Sequence, residues 1–118
     1  MPLVLGIGHM LLRTRDLERS FAFYTDVLGF SVRKRGEARD GGPLIAFEEG
    51  LALTTGRGDD TGPIEHIAFR GAQIDALLDR AREHGVEVVD GPTETSEYGT
   101  SFYVEDPDGN RLELYSAG

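Results

Sequence analysis

The chain has 118 residues, 39% hydrophobic and 28% charged, a composition that supports one domain with its own hydrophobic core and excludes general disorder. The formal net charge of −9 argues against nucleic acid as a partner and is compatible with a cationic ligand or with a plain solvated surface. There is no cysteine, which excludes disulfides and thiolate chemistry, and no apolar run approaches the ~20 residues that span a bilayer. Residues Met1 to Gly6 lack the basic region and apolar length of a secretory signal, so a cytoplasmic location is expected.

In chain order, Gly6 to Thr14 reads as a strand with Ile7, His9, Leu11 and Arg13 on one face. Asp16 is a helix N-cap candidate, and Leu17, Phe21, Tyr24 and Leu28 form an apolar helical stripe that Gly29 ends. Phe30 to Gly36, with the basic run Arg33-Lys34-Arg35, returns as a strand, and Leu44 to Phe47 and Leu51 to Thr55 follow as two more. Gly56 to Pro63 is a polar linker. The order then repeats. Ile64 to Arg70 is a strand, Ile74, Leu77, Leu78 and Ala81 a helical stripe, Gly85 its end and Val86 to Val89 a strand. Asp90 to Tyr98 reads as a polar loop, and Thr100 to Glu105 and Asn110 to Tyr115 form a hairpin around the turn Asp106-Pro107-Asp108-Gly109. His84 sits at a helix end, where its charge suits the dipole, and reads as a cap.

The expected class is α+β, with two βαβββ modules in one 1–118 domain, module one about 1–56 and module two about 63–118. His9 opens the first copy and His66 the second. Gly50-Leu51-Ala52-Leu53 stands where Arg111-Leu112-Glu113-Leu114 stands in the second. A pseudo-twofold pairing of the modules would bring His9, Ala52, His66 and Glu113 together, three metal-ligand side chains and one blank. Glu113 is fixed in mid-strand, opposite a leucine face that needs a core, so its carboxylate requires a partner.

Four segments carry a family resemblance: His9 on the first strand, Phe23-Tyr24-Thr25-Asp26-Val27-Leu28-Gly29-Phe30, His66-Ile67-Ala68-Phe69, and Phe102-Tyr103-Val104-Glu105-Asp106-Pro107-Asp108-Gly109-Asn110-Arg111-Leu112-Glu113. In this order they resemble the vicinal oxygen chelate superfamily of glyoxalase I, extradiol dioxygenases, fosfomycin-resistance enzymes and bleomycin-resistance proteins. The resemblance implies mixed sheets of paired βαβββ modules curled into a metal-holding cup, and a homodimer. It implies one divalent ion (Fe, Mn, Ni or Zn) held by His9, His66 and Glu113, a two-His, one-carboxylate facial set with open positions.

Ala52 stands where members resembling glyoxalase I or methylmalonyl-CoA epimerase carry Glu or Gln, and alanine neither ligates nor moves a proton, so both activities are disfavoured. Fosfomycin transfer is disfavoured because the loop Pro92 to Tyr98 is acidic and would repel a phosphonate. Similarity to extradiol dioxygenases makes Tyr103 a candidate catalytic group beside the metal. Strand parity or loop position makes Leu11, Phe47, Thr54, Tyr98 and Arg111 candidates for binding a small-molecule substrate. The expected activity is metal-dependent dioxygenase, lyase or transferase chemistry on a substrate with chelating oxygens. The alternative is a bleomycin-resistance-type homodimer that sequesters a cationic small molecule without catalysis.

Overall fold

A computed structural model of the chain describes Leu3 and residues 7–38, 41–56, 66–95 and 99–116. The first sheet contains β1 (Met10–Thr14), β2 (Val32–Glu37), β3 (Pro43–Phe47) and β4 (Leu51–Thr55), in the spatial order β1-β4-β3-β2. The second contains β5 (Ile67–Arg70), β6 (Asp90–Thr95), β7 (Gly99–Glu105) and β8 (Arg111–Tyr115), in the order β5-β8-β7-β6. In each sheet one parallel pair, β1 with β4 and β5 with β8, adjoins antiparallel pairs. The ladders repeat residue for residue: Met10 faces Leu51 and Leu11 faces Ala52, as Ile67 faces Leu112 and Ala68 faces Glu113. The element order βαβββ is thus found twice, and Ala52 and Glu113 are equivalent positions.

Between β1 and β2 runs α1 (Leu17–Ala22), which widens into a π-helical turn at Phe23–Val27. Asp16 caps it as its sequence position predicts, its carboxylate accepting from the Arg19 amide at 3.1 Å. Between β5 and β6 runs α2 (Ile74–Glu83), which buries Ile74, Leu78 and Ala81. Strand alternation gives each sheet one apolar face. Ile45, Phe47, Leu51 and Leu53 of the first and Phe102, Val104, Leu112 and Leu114 of the second join Tyr24, Val27 and Leu28 in one core. Phe30 and Phe69 meet edge to face across the modules, ring centres 5.2 Å apart.

Three expectations are corrected. First, the sheets form no cup: each is open and four-stranded, with β1 and β2 as edges of one and β5 and β6 of the other, and no ladder joins them among the described residues. Barrels whose interiors are filled by side chains use about eight strands, and here the apolar face of each sheet is engaged in the common core, leaving the opposite faces as separate grooves. Second, the strand expected at Val86 to Val89 lies at Asp90–Thr95. Val86 and Val88 instead pack against the core from the segment before it. Third, β1 begins at Met10, so His9 precedes the strand. Residues 4–6, most of the expected linker, Ile64 and Tyr98 lie outside the described residues.

No described helix is long and apolar enough to cross a membrane.

Candidate functional site

The second groove, about 520 Å³, is lined by polar side chains that project from the open face of the second sheet, among them His66, Asp90, Thr93, Ser101, Tyr103 and Glu113. Glu113 is in the middle of β8, where Leu112 and Leu114 fix its neighbours in the core and so force its carboxylate to the groove. His66 stands one residue before β5, the strand beside it. The pair meets at 3.5 Å between Nε2 and Oε1, with the Glu113 side chain 14% exposed and that of His66 30%. A carboxylate so far withdrawn from water favours a cationic or hydrogen-bonding partner.

Tyr103 lies directly across from Glu113 in the β7–β8 register. Its ring meets His66 edge-on at 5.7 Å, and the Arg111 guanidinium lies over it at 4.5 Å. Arg111 also approaches Asp90 at 3.5 Å, so its charge is engaged with groups of this chain.

The first groove, also about 520 Å³, lies on the equivalent face of the first sheet and is lined by His9, Leu11, Arg33, Lys34, Leu44 and Ala52 among others. His9 is exposed there, beside Ala52 instead of a carboxylate. The three expected metal ligands are therefore divided: His66 and Glu113 share one groove, and His9 lines the other. Among the described residues no three His, Asp or Glu side chains gather to hold an ion within one chain.

Of the residues expected to bind substrate, Leu11 is 48% exposed beside His9. Phe47 borders the same groove, but its ring is buried with Phe21, Tyr24 and Phe30. Thr54 is fully buried and its hydroxyl donates to the Pro43 carbonyl at 2.8 Å. Thr93 of β6 and Ser101 of β7, which the sequence analysis did not propose as site residues, line the groove of Glu113; the signal of Thr93 was hidden because β6 has no apolar alternation.

A second polar cluster joins the modules. Asp106 and Asp108, in the turn before β8, are buried. Tyr24 donates to Asp106 at 2.7 Å, Ser20 to Asp108 at 3.1 Å, and the Arg15 amide to Asp108 at 2.9 Å. Burial, and then the neighbouring Asp106 carboxylate, hold the Tyr24 phenol well above the ordinary tyrosine range. Every polar oxygen in this cluster has a partner in the fold, so it reads as a structural junction.

Comparison with known proteins agrees with this architecture. Residues 6–114 match the model of the Glyoxalase/Bleomycin resistance protein/Dioxygenase superfamily. A catechol-2,3-dioxygenase of Bacillus subtilis is 34% identical over 93% of the chain, although the chain spans only 41% of that protein's length. A probable lactoylglutathione lyase of Synechocystis is 31% identical, covering 90% of this chain and 91% of that one. Among solved structures, a variant of the fosfomycin resistance protein FosX from Listeria monocytogenes, complexed with Mn(II) and 1S,2S-dihydroxypropylphosphonic acid, superposes with a TM-score of 0.80. That match has 21% identity and covers 98% of this chain and 95% of that one. With its twofold βαβββ order, its equivalent His9 and His66 positions and a family match spanning nearly its whole length, the chain belongs to the vicinal oxygen chelate superfamily, that of the glyoxalases, bleomycin resistance proteins and dioxygenases.

Proposed function

We propose that the chain is one subunit of a homodimeric divalent-metal enzyme acting on a small substrate through two adjacent oxygens, with dioxygenase-like, lyase or transferase chemistry. The observation that carries this is the His66–Glu113 pair, 3.5 Å apart on a groove wall, with its repeat-equivalent histidine, His9, left exposed in a groove that holds no carboxylate partner for it at Ala52. Two donors from one groove and one from the other make a facial set, and a second copy would complete it by opposing its first groove to this second one. The donors fit Fe, Mn, Ni or Zn: imidazole and carboxylate bind each of these ions. Bound there, such an ion supplies Lewis-acid polarisation of the substrate's oxygens.

The chain's own residues supply the rest. Glu113 and His66 would hold and orient the ion, and Tyr103, the residue that pairs with Glu113 in the β7–β8 register, is the group to give or take a proton at a substrate oxygen. Ala52 offers no base, which weighs against the proton shuttling of glyoxalase I and of the epimerase.

The test is metal content by plasma mass spectrometry on untagged protein purified without added metal. Near-stoichiometric metal in the parent and its loss in His9→Ala, His66→Ala and Glu113→Ala are expected. Co-expressed His9→Ala and Glu113→Ala chains should recover one metal per mixed dimer, because one of its two sites keeps all three ligands. No metal in the parent, even after incubation with each of the four ions, would refute the enzyme reading and favour sequestration of a small molecule.

A further inference from the structure

We infer that the first groove recognises an oxyanion, so that the substrate of the proposed site is a small organic anion with an apolar body; this rests on the metal-site reading above. β2 carries three consecutive cations, Arg33, Lys34 and Arg35, which in an unbroken strand would alternate between faces. The ladder with β3 instead shifts register. Val32 faces Phe47 and Lys34 faces Ala46, leaving Arg33 as the extra residue of a bulge. A bulge re-aims side chains, and here Arg33 and Lys34 both line the first groove.

Arg35, opposite the buried Ile45, serves the other face. Its guanidinium lies 4.4 Å from the Phe21 ring centre and 3.5 Å from Glu18. Among the described residues the side chains of Arg33 and Lys34 enter no ion pair. Glu37 and Glu48 line the same groove, yet neither pairs with these cations, so both positive charges stay available. Among the described residues the second groove, by contrast, is lined by Asp90, Glu113 and a row of hydroxyls without Lys or Arg, and Arg111 at its side is taken up by Asp90 and the Tyr103 ring.

The two grooves are therefore chemically polarised. Brought together, they would offer oxygen-chelating and hydroxyl groups from the second groove and the apolar Leu11 and Leu44 with the cations Arg33 and Lys34 from the first. Arginine meets a carboxylate, phosphate or phosphonate with a planar fork of donors, and lysine adds a mobile point charge.

The probes are 3,4-dihydroxybenzoate, its neutral amide 3,4-dihydroxybenzamide and the cationic 3,4-dihydroxybenzylamine. Each is titrated calorimetrically under nitrogen into metal-loaded and EDTA-treated protein. The benzoate is expected to bind about tenfold tighter than the amide, the lower end of what a charge-assisted contact contributes. That gap should close in the Arg33→Gln/Lys34→Gln double variant and persist in Arg35→Gln, whose cation serves the other face. Equal affinity for benzoate and amide, a gap that survives in the double variant, preference for the benzylamine, or no benzoate binding at concentrations on the order of millimolar would each overturn the proposal. Failure of the metal reading looks different: amide affinity would then be the same with and without metal, while the benzoate gap remains in both.

Discussion

At the scale of single residues, Tyr24 shows how a side chain can be essential to the fold without belonging to the site. Its hydroxyl is fully buried and donates to the Asp106 carboxylate at 2.7 Å, so Tyr24→Phe removes a hydrogen bond to a charged acceptor and leaves that oxygen with Asn110 Nδ2 alone. The expected loss is about 1.5–3 kcal/mol in urea unfolding at neutral pH. The pH dependence follows from the raised phenol. The folded state keeps the proton while the unfolded chain releases it near the ordinary value of 10.0, so the contribution is complete below that pH and is lost as pH rises above it. Stability of the parent should therefore fall more steeply above about pH 10 than that of Tyr24→Phe; parallel curves would show that the phenol does not titrate with unfolding. From the sequence, Asp106 and Asp108 were legible as turn formers, and Asp106 does accept from the Asp108 and Asn110 amides. That Asp108 bonds to Arg15 and Ser20 was not legible, because those partners are about ninety residues away and no local pattern encodes them.

At the scale of elements, what was legible depended on whether a strand has a core face. β4 matched its expected bounds, Leu51–Thr55, and β8 came within a residue of its own, Arg111–Tyr115, because leucines at alternate positions mark the buried side. β2 and β6 are edge strands whose residues are all exposed, so periodicity carries no signal, and β6 reads as a loop from its polar composition. What fixes β6 is backbone geometry. Gly91 has φ +86, and a Cβ there would lie 2.8 Å from the Ser101 carbonyl oxygen, a conformation and an approach that glycine alone tolerates. Gly91→Ala should therefore cost on the order of 2 kcal/mol and disturb the Thr93–Ser101 register. Thermal unfolding and the amide exchange of β6 relative to β8 would measure both. An unchanged melting temperature would mean that β6 is not held against β7 as described. The same blindness hid the cations of β2: the basic run was visible, but the bulge that turns Arg33 and Lys34 to one face is a property of the ladder with β3.

At the scale of the whole molecule, the equivalence of His9 with His66 and of Ala52 with Glu113 was legible from the repeat, whereas their separation into two grooves was not. Repeat symmetry fixes which positions correspond; it does not fix which copies meet. A twofold dimer that opposes the first groove of each copy to the second groove of the other produces two identical sites, since an isologous arrangement repeats every contact. In such a dimer each site would draw ligands from both copies, and metal binding would be linked to association. At metal concentrations a hundredfold above the dissociation constant, each site contributes about 2.7 kcal/mol, so two sites tighten the dimer by roughly 10⁴-fold. Sedimentation velocity over a dilution series should show metal-loaded protein dimeric at concentrations where EDTA-treated protein dissociates. His66→Ala should remove the difference without changing the metal-free curve. Metal that stabilised the chain without moving the association curve would place all three ligands in one copy, and would require the two modules to turn their grooves toward each other at the expense of the junction that Tyr24, Ser20, Asp106 and Asp108 form between them.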